Sequence, residues 1–227
     1  MKLYIGNRNY SSWSMRPGVL LAQAGIAHEA VVIRFDAFSA ESQFKRGVAA
    51  ISPAGKVPVL VDGDLAVWDT LAIAEYVAEA FPARQLWPAD AAARARARSV
   101  CAEMHAGFSA LRGACPMNIE ASLPETGALV WRDNAGVRAD VARIVEMWTA
   151  LLAASGGPLL FGGFSIADAY YAPVCMRFFT YALPVPPAVR AYMERVRALP
   201  GVAAWIAAAL AERDFLDFEE PYRVGRE

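Results

Sequence analysis

The sequence predicts an α/β domain followed by an all-helical domain. Short β-prone runs alternate with helical periodicity at the start of the chain, the composition shifts near residue 82, and only helical periodicity follows. We therefore expect a first domain over residues 1–81, a linker over 82–88 and a helical domain over 89–227.

The first half of the α/β domain reads β-α-β. Residues 3–5 form a short β-prone run. Residues 15–24 then carry apolar side chains at helical spacing, and Gly25 is a typical helix stop. Residues 29–35 contain a second β-prone run. These patterns predict two strands on either side of a helix.

The second half of the domain reads α-β-β-α. Residues 39–50 are weakly helical. Residues 57–61 and 65–68 flank Asp62-Gly63, a pair typical of hairpin turns, and residues 69–80 return to helical periodicity. The complete order is β-α-β-α-β-β-α, which predicts a mixed sheet with helices packed against it.

Prolines and glycines divide the remaining chain into helices. A break at residues 81–88, with Phe81-Pro82 and Trp87-Pro88 at its two ends, precedes an Ala/Arg-rich segment. The predicted helices span residues 89–114, 124–154, 165–182, 187–197 and 202–213. No strand is expected in this part.

Composition excludes several classes of protein. The chain has 227 residues, 56% of them apolar, and a net charge of −1, which excludes a disordered chain and disfavours a nucleic-acid-binding protein. Three cysteines without metal-ligand spacing and two distant histidines predict neither a disulfide framework nor a metal site. The N-terminus lacks an apolar leader, and charges and prolines interrupt residues 166–185, so we expect a cytoplasmic protein without a membrane span.

The first chemically suggestive segment, Tyr10-Ser11-Ser12-Trp13-Ser14-Met15-Arg16-Pro17, lies in the turn between the first strand and the first helix. Serine hydroxyls beside the free N–H groups of a helix N-terminus favour negative charge. The alternative is simple capping, with Ser14 as the N-cap residue and Pro17 in the first turn.

The second segment is Gly55-Lys56-Val57-Pro58-Val59-Leu60. With a cis Val57–Pro58 bond, Val57 could turn its backbone N–H and C=O toward an extended peptide ligand. The alternative is an ordinary proline at the start of a strand, and the sequence leaves the isomer open.

The third segment, Trp68-Asp69-Thr70-Leu71, opens a helix. Asp69 and Thr70 could cap that helix. They could equally offer a carboxylate, a hydroxyl and free N–H groups to the ammonium and carboxylate of a zwitterionic ligand end.

Together these segments resemble the cytosolic glutathione S-transferases. The family's order is kept along the chain: first the serine turn, then the glycine-lysine-proline segment, then the Trp-Asp-Thr helix start. Ser165 and Asp168 also resemble the family's S/T-x-x-D motif, a capping-box arrangement with a role in folding. The serine turn is similar to the zeta-like Ser-Ser-x-Ser turn of bacterial members. The resemblance implies a thioredoxin-like first domain, an all-helical second domain and glutathione as cosubstrate, with no metal.

The resemblance also implies roles for individual residues. Val57 would pair with the cysteinyl backbone of glutathione, with Pro58 as the cis proline. Asp69 and Thr70 would hold its γ-glutamyl end. Lys56 would reach a carboxylate, and Trp13 would also contact the tripeptide.

The catalytic hydroxyl would come from the pair Ser11 and Ser12. Its donation to the sulfur would favour the thiolate, because a thiol with a pKa of about 8.5 is mostly protonated at neutral pH. Alignment with the zeta Ser-Ser-Cys-Ser motif favours Ser11, with Ser12 as the second choice. Trp13 stands where that motif has cysteine, which puts zeta-type maleylacetoacetate isomerisation in doubt without excluding it.

The expected function is a glutathione S-transferase of detoxification, acting on small electrophiles or peroxides. The electrophile pocket would contain Met104, Phe108, Met117 and Phe178. The alternatives are a glutathione-dependent cis–trans isomerase and a non-catalytic binding module. A homodimer is implied, no nucleic-acid or membrane partner is expected, and His105 is assigned no role.

Overall fold

A computed structural model describes residues 1–226 and confirms the predicted fold class. The first domain follows the predicted β-α-β-α-β-β-α order. Its elements are β1 (Lys2–Ile5), α1 (Ser12–Gln23), β2 (Glu29–Val32), α2 (Gln43–Ala49), β3 (Val59–Asp62), β4 (Leu65–Trp68) and α3 (Thr70–Ala80).

The four strands form one mixed sheet in the order β2-β1-β3-β4. β1 runs parallel to β2 and antiparallel to β3, so that Leu3 lies opposite Ala30 on one side and Leu60 on the other. Leu3 and Leu60 are fully buried. β3 and β4 are antiparallel neighbours joined by the predicted turn, where Gly63 has a φ of +57°.

The second part of the chain is helical. Its helices are α4 (Ala91–Ala106), α5 (Ser109–Ala114), α6 (Pro124–Asp133), α7 (Ala135–Ser155), α8 (Ile166–Thr180), α9 (Pro187–Ala198) and α10 (Pro200–Glu212). Two short 3₁₀ turns, Pro82–Arg84 and Asp217–Glu219, accompany them. Within residues 1–226, no helix combines the length and apolar character that crossing a membrane requires.

Two of the predicted helices are each divided in two. The one predicted over residues 89–114 breaks at Gly107, and Phe108 adopts a φ of +57° before α5 begins. The one predicted over residues 124–154 breaks at Asn134, whose side chain accepts from the N–H of Val137 and so caps α7. Helical periodicity continued across both breaks, which is why the sequence did not reveal them.

A continuous hydrophobic core runs from the sheet through α1 into the helical part. α1 packs against α3 of the sheet domain and against α8 and α10 of the helical part. The close approach requires glycine: a Cβ on Gly201 of α10 would lie 2.7 Å from the backbone nitrogen of Gln23. α1 therefore belongs to the cores of both domains.

The predicted capping box at the start of α8 is present, and its carboxylate is completely buried. Asp168 accepts from the N–H and the hydroxyl of Ser165, at 2.9 and 3.1 Å, and from the N–H of Leu160 and the hydroxyl of Tyr192, each at 3.2 Å. Burial raises the pKa of Asp168 to about 6, although the hydrogen bonds oppose that rise. One side chain thus ties α8 to α9 and to the preceding loop.

Replacing Asp168 with alanine should lower the free energy of unfolding by about 2–4 kcal/mol, because several buried donors lose their acceptor together. Urea unfolding followed by circular dichroism measures the loss. Asp133→Ala, at an exposed carboxylate near the end of α6, serves as the control. Equal stability of Asp168→Ala and the control would contradict the structural role.

Candidate functional site

A cleft of about 910 Å³ lies between the sheet domain and the helical domain. The residues that line it include those of the turn before α1, the segment before β3, the start of α3, and parts of α4, α5 and α8. All three sequence segments with a predicted ligand role therefore meet in one place. The predicted residues that line it are Ser11, Ser12, Trp13, Lys56, Val57, Pro58, Asp69, Thr70 and Met117.

The serine turn begins α1, and Ser11, rather than Ser14, is the N-cap residue. The Ser11 hydroxyl oxygen accepts from the N–H of Ser14 at 3.3 Å and also contacts the Ser14 hydroxyl at 2.8 Å. The Ser14 oxygen in turn accepts from the N–H of Gly6 at 3.1 Å. These bonds fix the turn between the end of β1 and α1.

Ser12 has a different partner. Its hydroxyl oxygen accepts from Nη2 of Arg177 at 3.2 Å, across the domain boundary. The other terminal nitrogen of Arg177 donates to the carbonyl of Cys115 and, at 3.4 Å, to that of Arg112. Burial lowers the pKa of Arg177 to about 10. A guanidinium that remains charged at neutral pH thus lies one hydrogen bond from the serine turn.

Trp13 forms the centre of a stack of side chains beside the serines. Its ring lies 4.2 Å from the guanidinium carbon of Arg16 and 4.8 Å from that of Arg112. Arg16 is in turn 4.8 Å from the ring of Tyr170. Arg16 is buried, its Nε and Nη1 have no hydrogen-bond partner within residues 1–226, and burial lowers its pKa to about 10. Stacking on the two aromatic rings is what stabilises this buried cation.

Val57 offers a peptide edge to the cleft. The Val57–Pro58 bond is cis, and both residues line the cleft. Among the described residues, neither the N–H nor the C=O of Val57 has a hydrogen-bond partner. An extended peptide could therefore pair with both groups, as a β-strand would.

Asp69 and Thr70 lie at the start of α3. Asp69 has a φ of +74°, a strained conformation for a non-glycine residue. One of its carboxylate oxygens caps α3 by accepting from the N–H of Leu71 at 2.8 Å, while the other faces Nε2 of His105 at 3.4 Å. The hydroxyl of Thr70 accepts from the hydroxyl of Tyr170 at 2.9 Å. Capping and ligand binding are thus compatible, because capping uses only one carboxylate oxygen.

Several residues of the cleft were missed by sequence reasoning. His105 contacts the Trp13 ring edge-on, with 5.1 Å between ring centroids, and lines the cleft although no role was predicted for it. Lys45, Arg112 and Arg177 line it as well. Arg177 had a signal in the sequence: it is a charged residue in the mostly apolar second half of α8. The other three are indistinguishable from surface residues without the fold.

The four predicted electrophile-pocket residues lie in two different places. Met117 lines the cleft. Met104, Phe108 and Phe178 pack in the hydrophobic core, and they are absent from the cleft lining among the described residues. Helical spacing identified them as buried but could not say which buried faces border the cleft.

The charges of the cleft favour an anionic ligand. Lys45, Lys56, Arg112 and Arg177 contribute four cations, against the carboxylates of Asp69 and Glu219. Burial raises the pKa of Glu219, although Arg177 partly offsets this. Residues 1–226 contain no group of three or more His, Cys, Asp or Glu side chains that could hold a metal ion.

Two protein-family models and two named relatives match the sequence of this chain. The model of the glutathione S-transferase N-terminal domain matches residues 10–80, and that of the C-terminal domain matches residues 91–208. Glutathione S-transferase Z1 of Arabidopsis thaliana is 38% identical over 98 residues, which are 42% of this chain and 41% of that protein. Glutathione S-transferase 1 of Dianthus caryophyllus is 35% identical over 95 residues. Both alignments span about two fifths of the length of these relatives.

Solved structures share the fold along nearly the whole chain. A glutathione transferase homologue from Burkholderia with bound glutathione has a TM-score of 0.68 and 23% identity, covering 92% of this chain and 97% of that one. Maleyl pyruvate isomerase, a bacterial glutathione S-transferase of the zeta class, has a TM-score of 0.69 and 24% identity, covering 92% and 98%.

The hydrogen bond from Tyr170 to Thr70 joins the helical domain to the cleft. Tyr170→Phe should lower the free energy of unfolding by about 1 kcal/mol, because a buried hydroxyl pair is lost while the ring stays in place. Urea unfolding measures the change. Tyr222→Phe, at a half-exposed tyrosine that donates to the carbonyl of Ala114, is the control with a smaller expected loss. Equal losses in the two variants would show that the buried Tyr170–Thr70 bond stabilises the fold no more than the exposed bond of Tyr222 does.

Proposed function

Because this chain belongs to the glutathione S-transferase family, we propose that it activates the thiol of glutathione for attack on small electrophiles or for reduction of organic peroxides. The observation that carries the proposal is the set of groups that line the cleft. Cations, a free peptide edge, a serine turn and a helix-capping carboxylate lie together there. Glutathione presents their counterparts: a glycyl carboxylate, a cysteinyl backbone, a thiol and a γ-glutamyl zwitterion.

The γ-glutamyl end would bind at the start of α3. Its ammonium would pair with the carboxylate oxygen of Asp69 that does not cap the helix. Its carboxylate would meet the N–H groups of the first turn of α3, which have no partners within the helix. The hydroxyl of Thr70 would be held in position by Tyr170.

The rest of the tripeptide would run along the segment before β3. Val57 would pair with the cysteinyl N–H and C=O, placing the sulfur at the serine turn. Lys45 and Lys56 would face the glycyl carboxylate. Lys45 also donates to the carbonyl of Gly55 at 3.0 Å, which positions it near the cleft wall.

Catalysis would consist of thiolate stabilisation and positioning. A serine hydroxyl, the N-terminus of α1 and nearby guanidinium groups all favour an anion at the sulfur. The thiol proton would leave to solvent, and the sulfur would then attack the electrophile. No covalent bond to the protein is required, because the nucleophile belongs to the cosubstrate.

The electrophile would approach from the helical side of the cleft. Ser109, Gly113, Pro116 and Met117 line that side and leave space beside the serines. A cytoplasmic homodimer with a role in detoxification is the proposed setting, on the strength of the family relationship.

A glutathione-dependent cis–trans isomerase is the second candidate, and one observation favours it. Arg112 lines the cleft and stacks on Trp13, but among the described residues its guanidinium donates hydrogen bonds only to the backbone carbonyls of His105 and Gly107 and has no carboxylate partner. A carboxylate of a substrate such as maleylacetoacetate could pair with this guanidinium. Turnover of maleylacetoacetate would support this activity, and its absence would eliminate it.

Glutathione at millimolar concentration should raise the melting temperature, because it binds only the folded state. Differential scanning fluorimetry measures the shift, and ophthalmic acid, which has a methyl group in place of the thiol, is the matched ligand. No shift with glutathione would overturn the transferase and isomerase proposals together. A shift without turnover of any electrophile, peroxide or isomerase substrate would instead favour a non-catalytic binding module.

Asp69→Asn should weaken glutathione binding roughly tenfold, or about 1.4 kcal/mol, because the ammonium loses its charged partner. Asparagine still caps α3, so the fold should be retained. Titration calorimetry measures the affinity, with Asp64→Asn in the β3–β4 turn as the control outside the cleft. Unchanged affinity in Asp69→Asn would exclude Asp69 from the γ-glutamyl site.

A further inference from the structure

The C-terminal segment of the chain returns to the cleft after α10. Its 3₁₀ turn, Asp217–Glu219, brings Glu219 into the cleft lining, where the side chain is half-buried. Within residues 1–226, the carboxylate of Glu219 takes part in no hydrogen bond and no ion pair. The cleft therefore contains an acid–base group that no contact of the described fold engages.

The residue that follows Glu219 anchors the turn. Glu220 is buried, and its carboxylate accepts from the hydroxyl of Tyr10 at 2.6 Å and from the side-chain amide of Asn118 at 2.8 Å. Arg223 donates to the same carboxylate at 2.6 Å. Because Tyr10 belongs to the sheet domain and Asn118 to the helical domain, these bonds hold Glu219 at the boundary between the two domains.

The same anchors place Glu219 where the sulfur and the electrophile would meet. Tyr10 directly precedes Ser11 of the serine turn. Asn118 directly follows Met117, which lines the electrophile side of the cleft. A side chain held between these two points lies beside both reactants of the proposed reaction.

The surroundings of Glu219 increase its tendency to hold a proton. Burial raises the pKa of its carboxyl, Arg177 of α8 partly opposes the rise, and the neighbouring Glu220 adds to it. Arg177 also donates to Ser12 at 3.2 Å, and Arg112 of α5 is a second cation on this side of the cleft. A thiolate bound at the serine turn adds a negative charge, which raises the pKa of Glu219 further.

Electrophiles differ in whether their reaction with a thiolate needs a proton. When the bond that breaks is a bond to oxygen, the leaving oxygen becomes an alkoxide, which is a poor leaving group until it is protonated. A halide, by contrast, leaves as a stable anion. A carboxylic acid beside the sulfur can give the proton in the transition state, and this lowers the barrier only for the oxygen leaving group.

We propose that Glu219 is the general acid that protonates the leaving oxygen of an organic hydroperoxide, and that hydroperoxides are the second substrate of this cleft. The inference rests on the proposed function and deepens it. The thiolate sulfur attacks the distal oxygen, the S–O bond forms as the O–O bond breaks, and Glu219 gives its proton to the departing alkoxide. The sulfur is oxidised to a sulfenic acid, and the hydroperoxide is reduced to an alcohol.

The cycle closes without a further oxidant or reductant. A second glutathione thiol attacks the sulfenic acid, which gives glutathione disulfide and water. Glu219 regains its proton from solvent. The overall reaction converts two glutathiones and one hydroperoxide into one disulfide, one alcohol and one water.

The test compares two substrates of the same protein. Glu219→Gln should lower kcat/KM for cumene hydroperoxide at least about tenfold, because the general acid is lost. It should leave kcat/KM for 1-chloro-2,4-dinitrobenzene unchanged, because chloride leaves without a proton. Asp217→Asn, at an exposed carboxylate of the same turn that is absent from the described cleft lining, is the matched control and should change neither value.

The pH profile separates a general acid from a residue that only shapes the cleft. The ratio of the hydroperoxide rate to the aryl chloride rate cancels the ionisation of the thiol, which both reactions share. In the wild-type protein this ratio should fall as the pH rises, since the carboxylate form of Glu219 has no proton to give. In Glu219→Gln the ratio should be lower and independent of pH, whereas Glu219→Asp, which retains the acid, should keep the fall.

Equal losses for the two substrates in Glu219→Gln would overturn the role of Glu219 as a general acid. A wild-type ratio that does not change with pH would overturn it as well. Turnover of the aryl chloride without reduction of the hydroperoxide would overturn the assigned substrate class and leave the proposed function standing. If glutathione produces no shift in melting temperature and neither substrate is turned over, the proposed function itself is overturned.

Discussion

The packing of α1 between the two domains is the constraint on which the rest of the structure depends. α1 contacts α3 within the sheet domain and α8 and α10 within the helical domain. The indole of Trp205 occupies the space beside Gly18, where any side chain would collide with it. Because α1 cannot shift without disturbing both cores, its N-terminus is held at the cleft, and the serine turn with it.

The same packing explains why buried cations are tolerated next to the cleft. Arg16 leaves α1 and stacks between Trp13 and Tyr170, while Arg177 reaches back from α8 to Ser12. Burying unpaired charge is costly unless something compensates for it. Aromatic faces and backbone carbonyls provide part of that compensation, and an anion bound in the cleft would provide more. Fold stability and ligand preference are thus linked in this region.

The sequence predicted the fold class, and most of the residues it predicted to bind a ligand line the cleft. Asp69, Thr70 and Val57 carry local signals, a helix start and a proline-containing segment, which can be read without the fold. Two of the cations that line the cleft carry no such signal. Arg112 and Lys45 resemble surface residues, and only the packing of α5 and α2 brings them to the cleft.

The breaks at Gly107 and Asn134, which divide two of the predicted helices, were missed for a similar reason. Periodicity reports which face of a helix is buried, but it does not report where the chain changes direction. For the same reason Phe178 was predicted to line the electrophile pocket, although it lies in the core. Which buried face borders a cavity is decided by contacts between distant segments, and no local pattern encodes them.

We propose that this cleft binds glutathione and holds its sulfur as a thiolate. The most direct measurement is the pKa of the glutathione thiol in the complex with the wild-type protein, compared with that of the free tripeptide. We predict a pKa lowered by at least about one unit from the usual thiol value of about 8.5. A bound thiol that titrates like the free one would contradict thiolate stabilisation in this cleft.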